Sequence, residues 1–282
     1  MSKSIKGILD SHGFKFSKSM GQNFLIDANI PEKIVRLAEI DKSCGVLEIG
    51  PGIGALTAYL CMAAGRVTAV ELDEKVLPML AAELEGFDNV EIISGDILKT
   101  DIEKMVNNTL VGLKPCVCAN LPYNITSPVI TRLIDANIFD SITVMVQKEV
   151  ALRMCAEPGS SDYGAFSVYI NYHTEPAILF DVPPECFMPR PKVTSAVVQM
   201  KLRKERILPP KEEAMFFRVV KAAFAQRRKT LVNALHSAFG SKMGKDEITE
   251  IVAACGFAPL VRGETLGIGE FVKLSNHFLD KS

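Results

Sequence analysis

Three short runs hold the residues best suited to chemistry. Glu48-Ile49-Gly50-Pro51-Gly52-Ile53-Gly54 sets alternating glycines behind an acid, Ala69-Val70-Glu71 ends in a second acid 21 residues after Gly50, and Gly95-Asp96 supplies another. Glycines let the backbone turn sharply and pass close to a ligand at the N-terminus of the helix that follows. An acid at the position of Glu71 suits hydrogen bonds from both hydroxyls of a ribose, so the combination predicts a crevice for an adenosine-bearing cofactor. Nicotinamide dinucleotides use a related turn, spaced G-x-G-x-x-G to seat a pyrophosphate. Here the last glycine comes one residue early, Pro51 sits inside the turn, and no Arg or Lys stands there to meet phosphate charge. Acids around the crevice would repel two phosphates and suit a cationic cofactor such as the sulfonium of S-adenosylmethionine. For Glu48 and Asp96 taken singly, structural capping or pairing is the competing reading.

A fourth run, Asn120-Leu121-Pro122-Tyr123-Asn124-Ile125, follows another apolar stretch. Asn-Leu-Pro-Tyr resembles a motif of the S-adenosylmethionine-dependent N-methyltransferases that modify exocyclic amines of bases. Such an amine is a poor nucleophile because its lone pair is delocalised into the ring. The Asn120 side-chain oxygen and the Leu121 carbonyl, left free by Pro122, would hold its two hydrogens and turn the lone pair toward the methyl group, while Tyr123 stacks on the base. The transfer is then an in-line displacement that rests on positioning and needs no strong base before attack. Asn-x-Pro is also ordinary turn chemistry, with Tyr123 as a packing wedge.

These runs need elements that bring them to one rim. Short β-branched segments at Cys44–Ile49, Arg66–Val70, Val90–Ser94, Pro115–Ala119 and Ser141–Val146 read as strands separated by amphipathic helices. Strand–helix alternation implies right-handed crossovers and a parallel sheet covered on both faces, which puts all four runs at the carboxyl ends of strands. The predicted fold class is α/β, a Rossmann-like sheet with a small C-terminal all-helical domain. Val193–Leu202, with Ala165–Tyr172 before it, reads as a late extension of the sheet with an antiparallel edge. Beyond Pro210 the pattern is helical only, over Lys211–Phe224, Lys229–Phe239, Lys245–Cys255 and Gly269–Leu279. The predicted domains are therefore 1–207 and 208–282, with the boundary near Leu208.

Composition sets the frame. The 282 residues are 48% hydrophobic and 23% charged, which excludes disorder and fibre. A net charge of -1 hides an asymmetry: Phe187–His236 carries 12 basic and 3 acidic residues, so this segment is +9 and the remainder -10. Arg227-Arg228-Lys229 is read as opening a helix, where cations oppose the macrodipole unless an anion is near. With Arg190, Lys192, Arg218 and Lys221 these residues would line a track for phosphates between the domains. The 7 cysteines are odd in number and embedded in apolar runs, as in a reduced, cytoplasmic protein. Neither they nor the 4 histidines show metal-ligand spacing, so no metal is expected. No apolar run approaches the roughly 18 residues of a membrane span, and no membrane association is expected.

Five segments together are similar to one family: Gly21-Gln22-Asn23-Phe24-Leu25, the glycine turn, Asn-Leu-Pro-Tyr, Phe187-Met188-Pro189-Arg190-Pro191-Lys192-Val193-Thr194-Ser195-Ala196-Val197, and Phe224-Ala225-Gln226-Arg227-Arg228-Lys229-Thr230-Leu231. In this order they resemble the bacterial small-subunit (16S) ribosomal RNA adenine N6-dimethyltransferases over roughly residues 15–270. The resemblance implies S-adenosyl-L-methionine as cofactor and, as substrate, two adjacent adenosines of 16S rRNA in the immature small ribosomal subunit, with the protein working as a monomer. It implies a cofactor site of Asn23, Leu25, Gly50, Gly52, Glu71, Asp96 and Asn120. It further implies a catalytic set of Asn120, Leu121, Pro122, Tyr123 and Phe187, with Tyr123 and Phe187 sandwiching a flipped adenine. For Phe187 a core aromatic beside a proline-rich turn is the competing reading. The nearest rival is the large-subunit rRNA adenine N6-methyltransferase class of macrolide resistance, against which stand the Asn-Leu-Pro-Tyr variant and the Phe187–Val193 stretch. A non-catalytic RNA-binding assembly factor would have no need of an intact cofactor crevice.

Overall fold

The computed structural model describes residues 23–205 and 207–281; Gly21 and Gln22 of the N-terminal run and Arg206 of the basic segment lie outside them. In chain order the elements are β1 (Phe24–Leu25), α1 (Asn29–Leu37), β2 (Cys44–Ile49), α2 (Thr57–Ala63), β3 (Arg66–Glu71), α3 (Leu77–Glu83), β4 (Val90–Ser94), α4 (Ile102–Thr109) and β5 (Lys114–Asn120). Then follow α5 (Thr126–Asp135), β6 (Ser141–Gln147), α6 (Lys148–Met154), α7 (Ala165–His173), β7 (Thr174–Val182), β8 (Phe187–Met188), β9 (Ser195–Leu202), α8 (Pro210–Ala225), α9 (Leu231–Phe239), α10 (Lys245–Ala254) and α11 (Ile268–Asp280).

The main sheet has the order β4-β3-β2-β5-β6-β9-β7. β2 pairs parallel with both β3 and β5, β3 with β4 and β5 with β6, so the chain winds outward from β2 in both directions. That reversal opens a crevice at the carboxyl ends of β2 and β5, the switch point where ligands bind in such sheets. β2 is buried at all its residues and the centre of β6 likewise, as expected of strands covered on both faces. β9 runs antiparallel to β6, pairing Ser195 with Gln147 and Lys201 with Ser141. A separate two-stranded ribbon pairs Phe24 with Met188 and Leu25 with Phe187.

Two sequence expectations are corrected here. Ala165–Tyr172 is a helix, α7, and the late strand beside β9 is β7. The aromatic and β-branched residues of α7 suit a strand locally, but Val168 and Tyr172 are buried in a helical core with Phe216, and the Ser167 hydroxyl donates to the Arg153 carbonyl. Tertiary packing overrides propensity. Pro176 obscures β7 in the sequence, yet β7 is the last strand of the sheet, where a missing N–H is tolerated. The cation run Arg227-Arg228-Lys229 does not open a helix either. α8 ends at Ala225 and α9 starts at Leu231, so these residues form the turn between the carboxyl end of α8 and the N-terminus of α9.

By contacts the chain divides into two compact units, one of residues up to Ala151 with Pro176–Leu202, the other of Leu152–Glu175 with residues from Arg203 onward. This differs from a division at 207/208, because Ala156, Tyr163, Val168 and Tyr172 belong to the same buried cluster as Phe216, Phe271 and Phe278. No described helix is long and apolar enough to cross a membrane.

Candidate active site

A cavity of about 360 Å³ lies at the carboxyl ends of β2, β3, β4 and β5. Asn23, Leu25, Gly50, Gly52, Glu71, Asp96, Asn120, Leu121, Pro122 and Tyr123 all line it, drawn from five separate stretches of chain. Gly50, Gly52 and Gly54 have φ of +64°, +59° and +90°, a conformation other residues rarely adopt. At Gly52 space is decisive as well, since a Cβ would stand 2.7 Å from the Phe24 ring. Phe24, in the ribbon strand β1, thus closes over the glycine turn.

The acids differ sharply in environment. Each Glu71 oxygen accepts a backbone N–H, Oε2 from Gly52 at 3.0 Å and Oε1 from Asp73 at 2.8 Å, which ties the glycine turn to the end of β3. Burial pushes its carboxyl up, against the pull of those N–H groups. The carboxylate keeps acceptor capacity for a ligand hydroxyl. Asp96 caps its own turn, accepting from Leu98 N at 2.9 Å, with Lys99 3.7 Å away. Glu48 is 1% exposed, and its Oε2 has no hydrogen-bond partner among the described residues. Burial raises its carboxyl to about 8 against the pull of the Thr57 hydroxyl, with the charge of Glu71 adding to the rise. In neutral solution Glu48 is therefore mostly uncharged, unlike the fully anionic rim that the sequence suggests.

β5 delivers the Asn-Leu-Pro-Tyr turn to the same cavity. Asn120 Nδ2 donates to the Asn23 carbonyl at 3.1 Å, which assigns the amide orientation and leaves Oδ1 as an acceptor with no donor among the described residues. Among the described residues nothing donates to the Leu121 carbonyl, while Leu121 N is fixed to the Met145 carbonyl on β6 at 3.1 Å. Pro122 O accepts Ile125 N and Thr126 Oγ1, so the turn is locked from behind. Tyr123 Oη lies 2.8 Å from Ser195 Oγ, and burial pushes the phenol above its usual range. Ser195 escapes a reading of motifs alone: it lies in the Phe187–Val197 run, but nothing in the sequence pairs it with a residue 72 positions earlier.

Phe187 is not brought into the cavity. It is 3% exposed, pairs with Leu25 across the ribbon and packs in the sheet core with Val182 and Cys186. The bland reading, a core aromatic beside a proline-rich turn, describes its position here. The basic residues also divide. Arg227 pairs with Glu264 at 3.3 Å and donates to the Ser161 and Tyr163 carbonyls, holding the helical unit together. The Arg218 guanidinium lies 4.7 Å over the Phe239 ring, and Arg190 pairs with Glu185. Lys192, Lys221, Arg228 and Lys229 are exposed without such engagements among the described residues.

A glycine turn without cations, an acid at the end of β3 and an Asn-Leu-Pro-Tyr turn at the end of β5, all on one Rossmann-like crevice, define an S-adenosylmethionine-dependent methyltransferase. The chain belongs to the ribosomal RNA adenine dimethylase family, which matches it over residues 13–255. It is 47% identical over 271 residues to ribosomal RNA small subunit methyltransferase A of Lachnoclostridium phytofermentans, covering 95% of this chain and 93% of that one. The same-named protein of Geobacillus kaustophilus is 46% identical over 274 residues, with 96% and 94% covered. Among solved structures, a dimethyladenosine transferase from Plasmodium falciparum superposes with a TM-score of 0.77 at 26% identity, covering 92% of this chain and 98% of its own. The 23S rRNA methyltransferase ErmE shares the fold, with a TM-score of 0.70 at 24% identity over 90% of this chain and 99% of its own.

Proposed function

We propose that this protein dimethylates the N6 amines of two adjacent adenosines in 16S rRNA of the immature small subunit, in the cytoplasm, using S-adenosyl-L-methionine. The observation that carries the reading is the pair of open acceptors on the Asn-Leu-Pro-Tyr turn, Asn120 Oδ1 and the Leu121 carbonyl, at the rim of the cavity. Two acceptors match the two hydrogens of an unmodified amine; one suffices for the monomethylated amine of the second round. When bound, the cofactor supplies a methyl group on a sulfonium leaving group. The chain's part is to hold the amine so that its lone pair faces that methyl, and to let the amine's proton pass to solvent after transfer. Tyr123, anchored by Ser195, offers its ring to the extruded base. Stacking of about 1–3 kcal/mol offsets an extrusion cost of a few kcal/mol. In this reading Glu71 and Asp96 receive the ribose and adenine of the cofactor, and Gly50 and Gly52 admit its methionine end.

The helical unit is the proposed RNA-binding domain, with Lys221, Arg228 and Lys229 among its exposed cations; Arg190 and Lys192 are proposed RNA contacts of the sheet unit. Such contacts supply affinity rather than sequence choice. The test is methyl transfer from labelled cofactor to small and large subunits from cells lacking the native modifications, followed by nucleoside analysis. N6,N6-dimethyladenosine confined to the small subunit is the expected result. Label on the large subunit, or none on either, overturns the reading.

A further inference from the structure

We propose that Glu48 is a charge-matching group of the cofactor cavity: its carboxyl is held protonated in the free protein, releases that proton to solvent when the sulfonium cofactor enters, and so favours the cationic methyl donor over its uncharged thioether by-product. The inference rests on the reading of this cavity as the S-adenosylmethionine site and adds a role for a side chain to which the transfer step gives none.

The grounds are geometric. Glu48 is the last but one residue of β2, 1% exposed, and lines the cavity beside the glycine turn. Its Oε2 has no partner among the described residues. A carboxylate stripped of water, with the nearby Thr57 hydroxyl as its one counteracting donor, is disfavoured unless a positive charge stands near. None of the groups acting on it is a cation. The neighbours that face it are Thr57 and Cys61 on α2, Glu71 on β3 and Cys118 on β5. Both cysteines are held as neutral thiols, Cys61 raised to about 12 and Cys118 well above its usual value, chiefly by burial. The only charge among these neighbours is the Glu71 carboxylate, which also opposes ionisation of Glu48. A ligand carrying positive charge into the cavity reverses that balance, and a neutral thioether supplies less of it.

The consequence is readable without turnover. With a carboxyl near 8 in the free protein, binding the cofactor at pH 7 should release about 0.9 proton from this group and about 0.1 at pH 9. Isothermal titration in two buffers of different ionisation enthalpy counts these protons. The cofactor's own amine titrates in this range, so the readout is the difference between wild type and Glu48→Gln, whose amide imitates the protonated acid and preserves the uncharged packing. Below pH 8 the wild-type affinity relative to Glu48→Gln should fall toward tenfold per pH unit. S-adenosylhomocysteine should release markedly less proton than S-adenosylmethionine from the same group. Equal release by the two ligands overturns the discrimination, and equal release by wild type and Glu48→Gln removes Glu48 altogether. Absence of any S-adenosylmethionine binding heat instead overturns the cofactor reading on which the inference rests.

Discussion

Tyr123 and Ser195 form a pair whose removal should be non-additive in a way that the structure fixes in advance. Ser195 is 0% exposed, and among the described residues its hydroxyl has Tyr123 Oη, 2.8 Å away, as its one partner. Tyr123→Phe therefore strands a fully buried hydroxyl, at a cost of about 1–3 kcal/mol. Ser195→Ala leaves the phenol of the half-buried Tyr123 beside the cavity and should cost less, about 0.5–1.5 kcal/mol. In the double variant no buried polar group is stranded, so its loss should fall short of the sum by about 1 kcal/mol. At roughly 2–4 °C per kcal/mol for a unit of this size, that coupling is visible by thermal melting of the four proteins. Methyl transfer gives a second reading. Tyr123→Phe keeps the ring and should retain most binding of the target, whereas Tyr123→Ala loses stacking of about 1–3 kcal/mol, or roughly 5- to 150-fold in KM for the RNA. Strict additivity of the two melting shifts would refute the argument that this bond anchors the turn.

The remaining predictions concern other parts of the molecule. Because the Glu48 carboxyl rises from 4.5 to about 8 on folding, the folded chain holds more protons than the unfolded one between those values. Its contribution to stability is greatest below about pH 4.5 and is lost as the pH rises toward 8, with a slope of up to about 1.4 kcal/mol per pH unit that Glu48→Gln should abolish. Urea unfolding across pH 5 to 8 measures it, and parallel pH profiles for the two proteins would count against an uncharged Glu48. Phe187→Ala should destabilise the sheet unit by about 3–5 kcal/mol, since the ring is buried in its core. Loss of transfer with an unchanged melting temperature would instead place Phe187 against the substrate. Arg228→Glu should weaken RNA binding and flatten its salt dependence by about one unit of slope or more. Arg227→Ala should lower the stability of the helical unit by about 1 kcal/mol or more, through the lost Ser161 and Tyr163 carbonyl bonds. The reverse pattern would exchange the two roles.

The strands that build the crevice were legible because they are short, apolar and β-branched, and because a parallel sheet has one way to wind. Cys44–Ile49 and Val90–Ser94 agree to the residue, and the glycine turn, Glu71, Asp96 and Asn120 lie at strand ends by the same logic. The region 165–182 was not legible. The α7 sequence has no clear helical face, and its conformation depends on packing against α8, about 40 residues on, and on the Arg153 carbonyl, 14 positions from Ser167. Phe187 illustrates the same limit at a single residue: the family resemblance assigns it to the site, but ribbon pairing with Leu25 turns it into the core.

The sequence alone determined the chemistry on offer: which side chains accept, which stack, which turn can approach a ligand, and the absence of phosphate-binding cations from that turn. Those properties belong to residue types and their spacing along one strand or turn, so they survive without tertiary information. Only the folded chain decided charge and engagement. Glu48 is an anion by composition and an acid held neutral by burial beside Glu71; Arg227 is a cation like Arg228 by composition and a clamp by its contacts. Desolvation and hydrogen bonding depend on what other parts of the chain bring alongside, and that information arises only when the strands and helices pack.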